Sequence, residues 1–288
     1  MDRDKIKPYI YLAFAILAWS SQAAITKFLV MSVGVPVASF CTFAFAIAGS
    51  AFAVFVEKKQ RLVTEYTPRD LGVLFGMAAL WVSGDFLYTW AFKFMPASTA
   101  VVSRYLWPVF LVVLAVPVLK EKLSARKMLG VILAFLGFVF LVSQAGGLTL
   151  SLSNWLPFLA ILYSGISWVL LFLLLKRFRY ESLSATLLLV FFGTILYGGL
   201  VFALAEPLPS AVPVLLAAAY FGIVTIGMGN AYYARALKHL DTSQVGNLSY
   251  LVPVLAIFWA GLFLGETIQW YYFVALGLIF AGYLVQRR

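Results

Sequence analysis

The feature that most constrains this chain is a long run without charge: the residues from Met128 to Leu175 include no Asp, Glu, Lys or Arg. A helix in a soluble core has no need of so long an uncharged stretch, whereas two membrane-crossing helices joined by a short polar loop do. Hydrophobic residues make up 64% of the chain and charged residues only 11%, against roughly 25% charged residues in soluble domains. The sequence therefore predicts an integral membrane protein.

Ten hydrophobic segments can be delimited, and most approach the ~20 residues that span a hydrocarbon core as a helix. The alternating pattern of about ten residues that marks barrel strands is missing. The predicted fold class is therefore all-α, a polytopic membrane protein with ten transmembrane helices. The segments lie at about Tyr9–Val30, Pro36–Val56, Leu71–Phe94, Ser98–Leu119, Met128–Val142, Trp155–Leu175, Leu183–Leu204, Ala211–Ala236, Ser243–Leu264 and Ile268–Val285.

The basic residues predict the orientation of these helices. With a cytoplasmic N-terminus, all but three of the 21 Lys and Arg fall in inner loops or termini; the exceptions are Lys27, Lys93 and Arg104. Because short cytoplasmic loops are enriched in Lys and Arg, we expect a protein of the cell (inner) membrane with both termini in the cytoplasm. The net charge of +10 then reflects topology and contact with anionic lipid headgroups, and nucleic-acid binding is not expected.

An internal repeat divides the chain into two halves. A shift of 145 residues aligns Gly84–Gly137 with Gly229–Gly282 without a gap, and a shift of 149 pairs Trp19 with Trp168. We assign residues 9–142 to a first five-helix repeat and 155–285 to a second. Since five is odd, the second repeat is expected to be inverted, and inverted repeats with a binding site at their interface are typical of secondary transporters.

The paired five-helix halves resemble the drug/metabolite transporter (DMT) superfamily, and each half resembles an EamA-type domain. The most typical parts are the proline-containing fourth and ninth helices, each followed by a turn with Glu121 or Glu266. AWS at Ala18–Ser20, YLWP at Tyr105–Pro108 and SYLVPV at Ser249–Val254 are similar to YddG-type exporters of aromatic amino acids. The resemblance implies alternating access, with export as the expected direction. One departure is Arg104, where YddG-type proteins usually carry asparagine.

Two ionisable residues lie deep in the predicted membrane segments. Asp85 and Arg104 are each about 15 Å below the outer surface on antiparallel neighbours, so we expect them to meet in, or line, one cavity. The repeat places Asn230 and Ser249 at the equivalent positions. Arginine suits a carboxylate ligand, while Asp85 could accept an amine or a proton; the alternative is an ion pair that only locks the helices.

Deep aromatic residues complete the predicted substrate site. Those matched across the repeat favour a cavity for a molecule with a charged end and a flat apolar body, although packing between helices is the alternative for any single ring. Pro108 and Pro253 are predicted to kink the fourth and ninth helices at this cavity. The aromatic candidates are Trp19, Trp168, Tyr105 and Tyr250, together with Tyr88 and Trp107.

Catalysis is not expected. His239 is the only histidine, so neither a zinc motif with two histidines nor a further metal site is indicated, and a single deep carboxylate cannot form an aspartyl dyad. No cofactor is expected. The predicted partners are a small amphipathic metabolite, most of all an aromatic or apolar amino acid, membrane lipids, and protons as candidate coupling ions. The alternatives are an exporter of aromatic cationic drugs, whose flat cations suit aromatic rings, and an importer of another small metabolite.

Overall fold

A computed structural model describes residues 3–57, 65–91, 94, 104–144, 155–256 and 270–287. Within these ranges every regular element is helical and no strand occurs, which confirms the predicted all-α fold class. Residues 251–256 are also helical. The helices are α1 (Arg3–Ser20), α2 (Gln22–Val56), α3 (Pro68–Ala91), α4 (Trp107–Leu119), α5 (Ala125–Gln144), α6 (Trp155–Phe178), α7 (Ser182–Ala203), α8 (Val212–Tyr220), a π-helical segment (Phe221–Gly229), α9 (Asn230–His239), α10 (Thr242–Ser249) and α11 (Trp270–Arg287).

Five helices in the described ranges are long and apolar enough to cross a membrane. Three shorter apolar helices, Ile6–Ser20, Trp107–Leu119 and Phe273–Val285, correspond to further predicted segments. Parts of the fourth and ninth predicted segments, together with Lys93 and Glu266, lie outside the described residues. The five long spans are Phe28–Val56, Pro68–Ala91, Trp155–Phe178, Ser182–Ala203 and Val212–His239.

The long helix α2 is interrupted at Gly34, whose φ of 75° and ψ of 172° are not helical. A positive φ is accessible to glycine at little cost because it has no Cβ. The break falls between the first two predicted segments, which end at Val30 and resume at Pro36. α2 therefore consists of two helices in series, and the first of them continues the predicted first segment beyond a turn at Ser21.

The helices group into two compact units, each of which draws on both halves of the sequence. Unit 1 comprises Met1–Phe86 and Phe178–His239, and unit 2 comprises Leu87–Arg177 and Leu240–Arg288. In unit 1, α2 packs against α7, α8 and the π-helical segment. In unit 2, α5 packs along α11, and α4 packs against α10.

Glycines allow the close contact between α2 and the π-helical segment in unit 1. A Cβ at Gly227 would lie 2.5 Å from the carbonyl oxygen of Ala46 and 2.9 Å from the backbone nitrogen of Ser50. Both are backbone atoms of α2, so neither can rotate away as a side chain could. Small residues serve the same purpose at helix contacts in other membrane proteins, where backbones approach closely.

Candidate substrate-binding site

Arg104 occupies a defined position in unit 2. Its Nη1 donates a hydrogen bond of 2.9 Å to Oγ of Ser164 on α6, and its guanidinium lies 3.9 Å from the ring centroid of Tyr88. These two contacts fix the position of the guanidinium group. The ion pairs in the described part of unit 2 join Lys127 to Asp241 and Lys176 to Glu121. Neither pair uses Arg104, so no ion pair within the described part of unit 2 neutralises its charge.

Proline accounts for the local backbone at Arg104. Tyr105 and Leu106 form a turn before α4, and Pro108 lies in the first turn of that helix. Proline has no N–H to donate to the carbonyl four residues earlier, and its ring clashes with that carbonyl. In the second repeat α10 ends at Ser249, and Tyr250 is likewise a turn residue ahead of Pro253. The helices are thus interrupted at both positions for which kinks were predicted, and a hinge role for the two prolines stays a prediction.

Two tryptophans lie close to the partners of Arg104. Trp107 follows Arg104 in the chain at the start of α4, and Trp168 lies on α6. The rings of Trp107 and Trp168 are 4.7 Å apart in an edge-to-face arrangement, and Trp168 also packs on Phe172 at 4.6 Å. Ser164 and Trp168 are four residues apart and therefore share one face of α6. The structure thus places a cation and an aromatic surface on neighbouring positions of the same two segments.

Tyr105 and Tyr250 belong to a different part of unit 2, the core between α5 and α11. Both rings pack against Phe138, at centroid distances of 4.7 Å and 6.1 Å. The hydroxyl of the fully buried Tyr250 makes no hydrogen bond to the described residues. Ser249 donates to the carbonyl of Val245 on its own helix at 2.7 Å. These candidates therefore contribute to the core of unit 2, and their contact with a substrate stays a prediction.

Three candidates lie in unit 1. Asp85 Oδ2 accepts a hydrogen bond of 2.7 Å from the hydroxyl of Tyr197 and one of 3.4 Å from Oγ of Ser39. The buried Trp19 packs against Tyr233 with ring centroids 4.8 Å apart. The buried Asn230 begins α9, directly after the π-helical segment. Asp85 and Arg104 thus belong to different units, and the predicted pairing between them stays a prediction.

Sequence reasoning missed the neutral partners of both charged candidates, Ser164 beside Arg104 and Tyr197 and Ser39 beside Asp85. None of the three has a matching residue in the aligned parts of the repeat. A signal was present for Tyr197, because it is the only titratable side chain in α7. Ser164 could have been found from its spacing of four residues before Trp168.

Ion pairs tie the helix ends of unit 2 that are predicted to face the cytoplasm. Lys176 at the end of α6 donates to Glu121 at 3.0 Å and to Thr242 at 3.1 Å. Lys127 of α5 donates to Asp241 at 2.6 Å. Burial raises the pKa of Asp241, but hydrogen bonds from Lys127 and Ser243 outweigh it, so its pKa lies below the ordinary value. These pairs join α4, α5, α6 and α10 at one end of unit 2.

Comparison with known proteins supplies the family. The model of the EamA-like transporter family matches residues 6–143 and again residues 155–287. A solved structure described as "Crystal structure of protein" is 22% identical, covers 99% of this chain and 98% of its own, and has a TM-score of 0.84. At that identity the likeness shows the fold alone. No curated protein matches.

The two family matches together extend over nearly the whole chain, once in each half. They confirm the resemblance to the DMT superfamily and agree with the two five-helix repeats of the predicted fold class. The long apolar helical spans fit a multi-pass membrane protein. The chain belongs to the EamA-like transporter family.

Proposed function

We propose that this membrane transporter moves amphipathic metabolites, above all aromatic and large apolar amino acids, out of the cell by alternating access. The observation that carries the proposal is the placement of Arg104. Its guanidinium is held by Ser164 and Tyr88, next to the Trp107–Trp168 pair.

The guanidinium of Arg104 is suited to the carboxylate of such a cargo. Its planar fork matches a carboxylate with two parallel hydrogen bonds. Because Ser164 and Tyr88 already fix its orientation, binding costs less side-chain entropy than it would for a mobile arginine. The low effective dielectric within a membrane protein strengthens this charge–charge attraction.

The tryptophan pair is suited to the other end of the same molecule. Trp107 and Trp168 present flat, polarisable surfaces that prefer edge-to-face or offset contacts with another ring. Tyr105, Ser249 and Tyr250 complete the proposed site in unit 2. In unit 1 the proposed site residues are Trp19, which the repeat relates to Trp168, and Asn230, which it relates to Asp85. The YddG-type motifs support aromatic amino acids as the cargo.

Export of aromatic cationic drugs is the main rival. Aromatic rings attract cations through their negative faces, but Arg104 repels a cation unless a carboxylate neutralises it. In the described part of unit 2 no carboxylate forms an ion pair with Arg104. This favours an anionic end on the cargo. Import of another small metabolite is the second rival, because the site residues themselves carry no direction.

Transport by the purified chain in liposomes tests the proposal, with radiolabelled aromatic amino acids in one arm and aromatic cations in the other. Arg104→Ala should lower transport of carboxylate-bearing cargo at least about thirtyfold, because removing one partner of a buried charge pair costs roughly 2–5 kcal/mol. Arg177→Ala is the matched control, since Arg177 lies at an exposed helix end, where it donates to the carbonyl of Val118. Transport of cations alone by the unaltered chain would refute the amino-acid proposal.

A further inference from the structure

A carboxylate within the membrane-spanning part of unit 1 is surrounded by hydroxyl donors from two other helices. Asp85 of α3 accepts a 2.7 Å hydrogen bond from Tyr197 of α7 and a 3.4 Å hydrogen bond from Ser39 of α2. Tyr197 is fully buried, and its ring packs against Phe43 of α2, which in turn packs against Trp81 of α3. Three helices of one unit thus converge on one acidic side chain.

The two helices that supply these donors contain few titratable residues. α7 contains no Asp, Glu, Lys, Arg or His, and Tyr197 is its only titratable residue. On α2 the titratable residues are Cys41 and Lys27. Cys41 packs into a different core cluster, with Leu29 and Val37, and Lys27 lies on the other side of the helix break at Gly34 from Ser39. On α3 itself, Arg69 and Asp70 lie at the far end of the helix, whereas Tyr88 follows Asp85 by one turn and contacts the guanidinium of Arg104.

We propose that Asp85, held by Tyr197 and Ser39, is the proton-binding site that couples cargo export to the proton gradient. The inference rests on the proposed transport function and names its coupling ion. When the site is open to the outside, an Asp85 carboxylate oxygen forms an O–H bond with a proton taken from hydronium. When the site is open to the cytoplasm, that bond breaks and the proton passes to water. No electron is transferred.

The arrangement favours a proton over a metal cation. Tyr197 and Ser39 point their hydroxyl hydrogens at the carboxylate, whereas sodium would need oxygen lone pairs directed at it, as hard cations take oxygen ligands. A charged carboxylate in a membrane is costly, and neutralising it with a proton removes most of that cost. The hydrogen bonds from the two hydroxyls oppose protonation, so that the site also releases its proton.

The test compares cargo exchange at equal pH on both sides of the liposome with cargo movement driven by a pH gradient, using the full chain. An entrapped pH dye records proton flux. Asp85→Glu retains a titratable group and should retain gradient-driven movement. Asp85→Asn should lose gradient-driven movement and dye signal by about tenfold or more, because no titratable group remains at the site. Tyr197→Phe should retain coupling but shift the pH of half-maximal transport upward by about one unit, since a hydrogen bond to the charged form is lost.

The outcomes separate this inference from the proposed function. No amino-acid exchange by the unaltered chain under any condition refutes the proposed function. Exchange that ignores the pH gradient, or that follows a sodium gradient instead, refutes the proton site while the proposed function stands. A third outcome would also overturn the inference. In it, Asp85→Asn and Asp85→Glu both lose exchange together with coupling, and Tyr197→Phe leaves the pH profile unchanged. Asp85 would then be a cargo ligand or a structural residue.

Discussion

At the scale of single residues, Ser164 determines how Arg104 is presented. Most serines in helices bond to their own backbone, and Ser167, one turn later on α6, does so by donating to the carbonyl of Ser164 at 2.9 Å. Ser164 instead accepts from the guanidinium of Arg104 at 2.9 Å. The two serines lie in the same helix and both are buried, but only Ser164 contacts Arg104 of the proposed cargo site. They therefore form a matched pair for substitution.

Replacing Ser164 should weaken cargo binding without removing the charge that binds it. We expect Ser164→Ala to raise the KM for carboxylate-bearing cargo about tenfold, with a smaller change in kcat, because a hydrogen bond that positions a charged group is lost. Ser167→Ala should leave KM within about twofold, since only a bond within its own helix is removed. Initial rates of uptake over a range of cargo concentrations measure both values, and equal effects of the two substitutions would contradict a positioning role for Ser164.

Sequence reasoning could single out Arg104 and Asp85 as candidate site residues, because ionised groups are costly in apolar segments and therefore rare there. It could also name four aromatic candidates that match one another across the repeat, namely Trp19, Trp168, Tyr105 and Tyr250. It could not find Ser39, Ser164 or Tyr197. Their role depends on which helix packs against which, and a neutral hydroxyl in a helix has a ready partner in its own backbone whatever its surroundings.

At the scale of helices, the start of α10 shows how one acidic residue serves as both cap and ion-pair partner. Asp241 accepts from the backbone N–H of Ser243 at 3.0 Å and from its hydroxyl at 2.6 Å, and it pairs with Lys127 of α5. A capping side chain of this kind satisfies one of the N–H groups left unpaired at a helix start. The same contacts hold the pKa of Asp241 below its ordinary value, despite the opposing effect of burial.

A pKa below the ordinary value means that Asp241 stabilises the folded state when ionised. That contribution is complete above the ordinary Asp pKa and disappears as the pH falls through the lower folded value. Asparagine can still cap the helix, so Asp241→Asn should lose only the ion pair with Lys127 and be less stable than the unaltered protein at pH 7 by about 0.5–1 kcal/mol. The difference should shrink in acid. Thermal unfolding in detergent at pH 7 and in acid measures it. The exposed loop residue Glu206 provides the control Glu206→Gln, for which no such pH-dependent difference is expected.

Helix breaks were predictable only where a residue type imposes them. The interruption at Tyr105–Leu106 follows from Pro108, and the one at Gly34 lies where the hydrophobic segments were divided. The π-helical segment Phe221–Gly229 was not predicted. It lies in an apolar stretch where almost every position is hydrophobic or glycine, so no polar face exists whose spacing would reveal a change of helical period.

At the scale of the whole molecule, sequence similarity and compactness divide the chain differently. One repeat occupies the first half of the chain and the other occupies the second half. Unit 1, in contrast, combines Met1–Phe86 with Phe178–His239 and so draws on both repeats. An internal repeat reports which segments are alike and carries no information on which segments touch. This is why the ten helices could be delimited from the sequence while their grouping into units, and with it the hydroxyls around Asp85, could not.

The predicted orientation can be tested with single cysteines on opposite sides of the membrane. Cys41 is the chain's only cysteine and is buried, so Cys41→Ser provides a thiol-free background. In that background Pro207→Cys, between α7 and α8, should react with a membrane-impermeant thiol reagent in intact cells. Lys122→Cys, between α4 and α5, should react only after the membrane is opened, because its loop is rich in basic residues. Both positions are exposed, and the reverse labelling pattern would overturn the cytoplasmic placement of the termini.

The π-helical segment Phe221–Gly229 has a consequence for any scan along the span from Val212 to His239. Each i→i+5 turn takes up more residues than an i→i+4 turn, so the chain advances less along the axis there and side chains beyond it are rotated out of phase. A helical wheel drawn in one register through α8 and α9 would assign Asn230 and Tyr233 to the wrong side. Substitutions meant to map a lining surface on this span need separate wheels for α8 and α9.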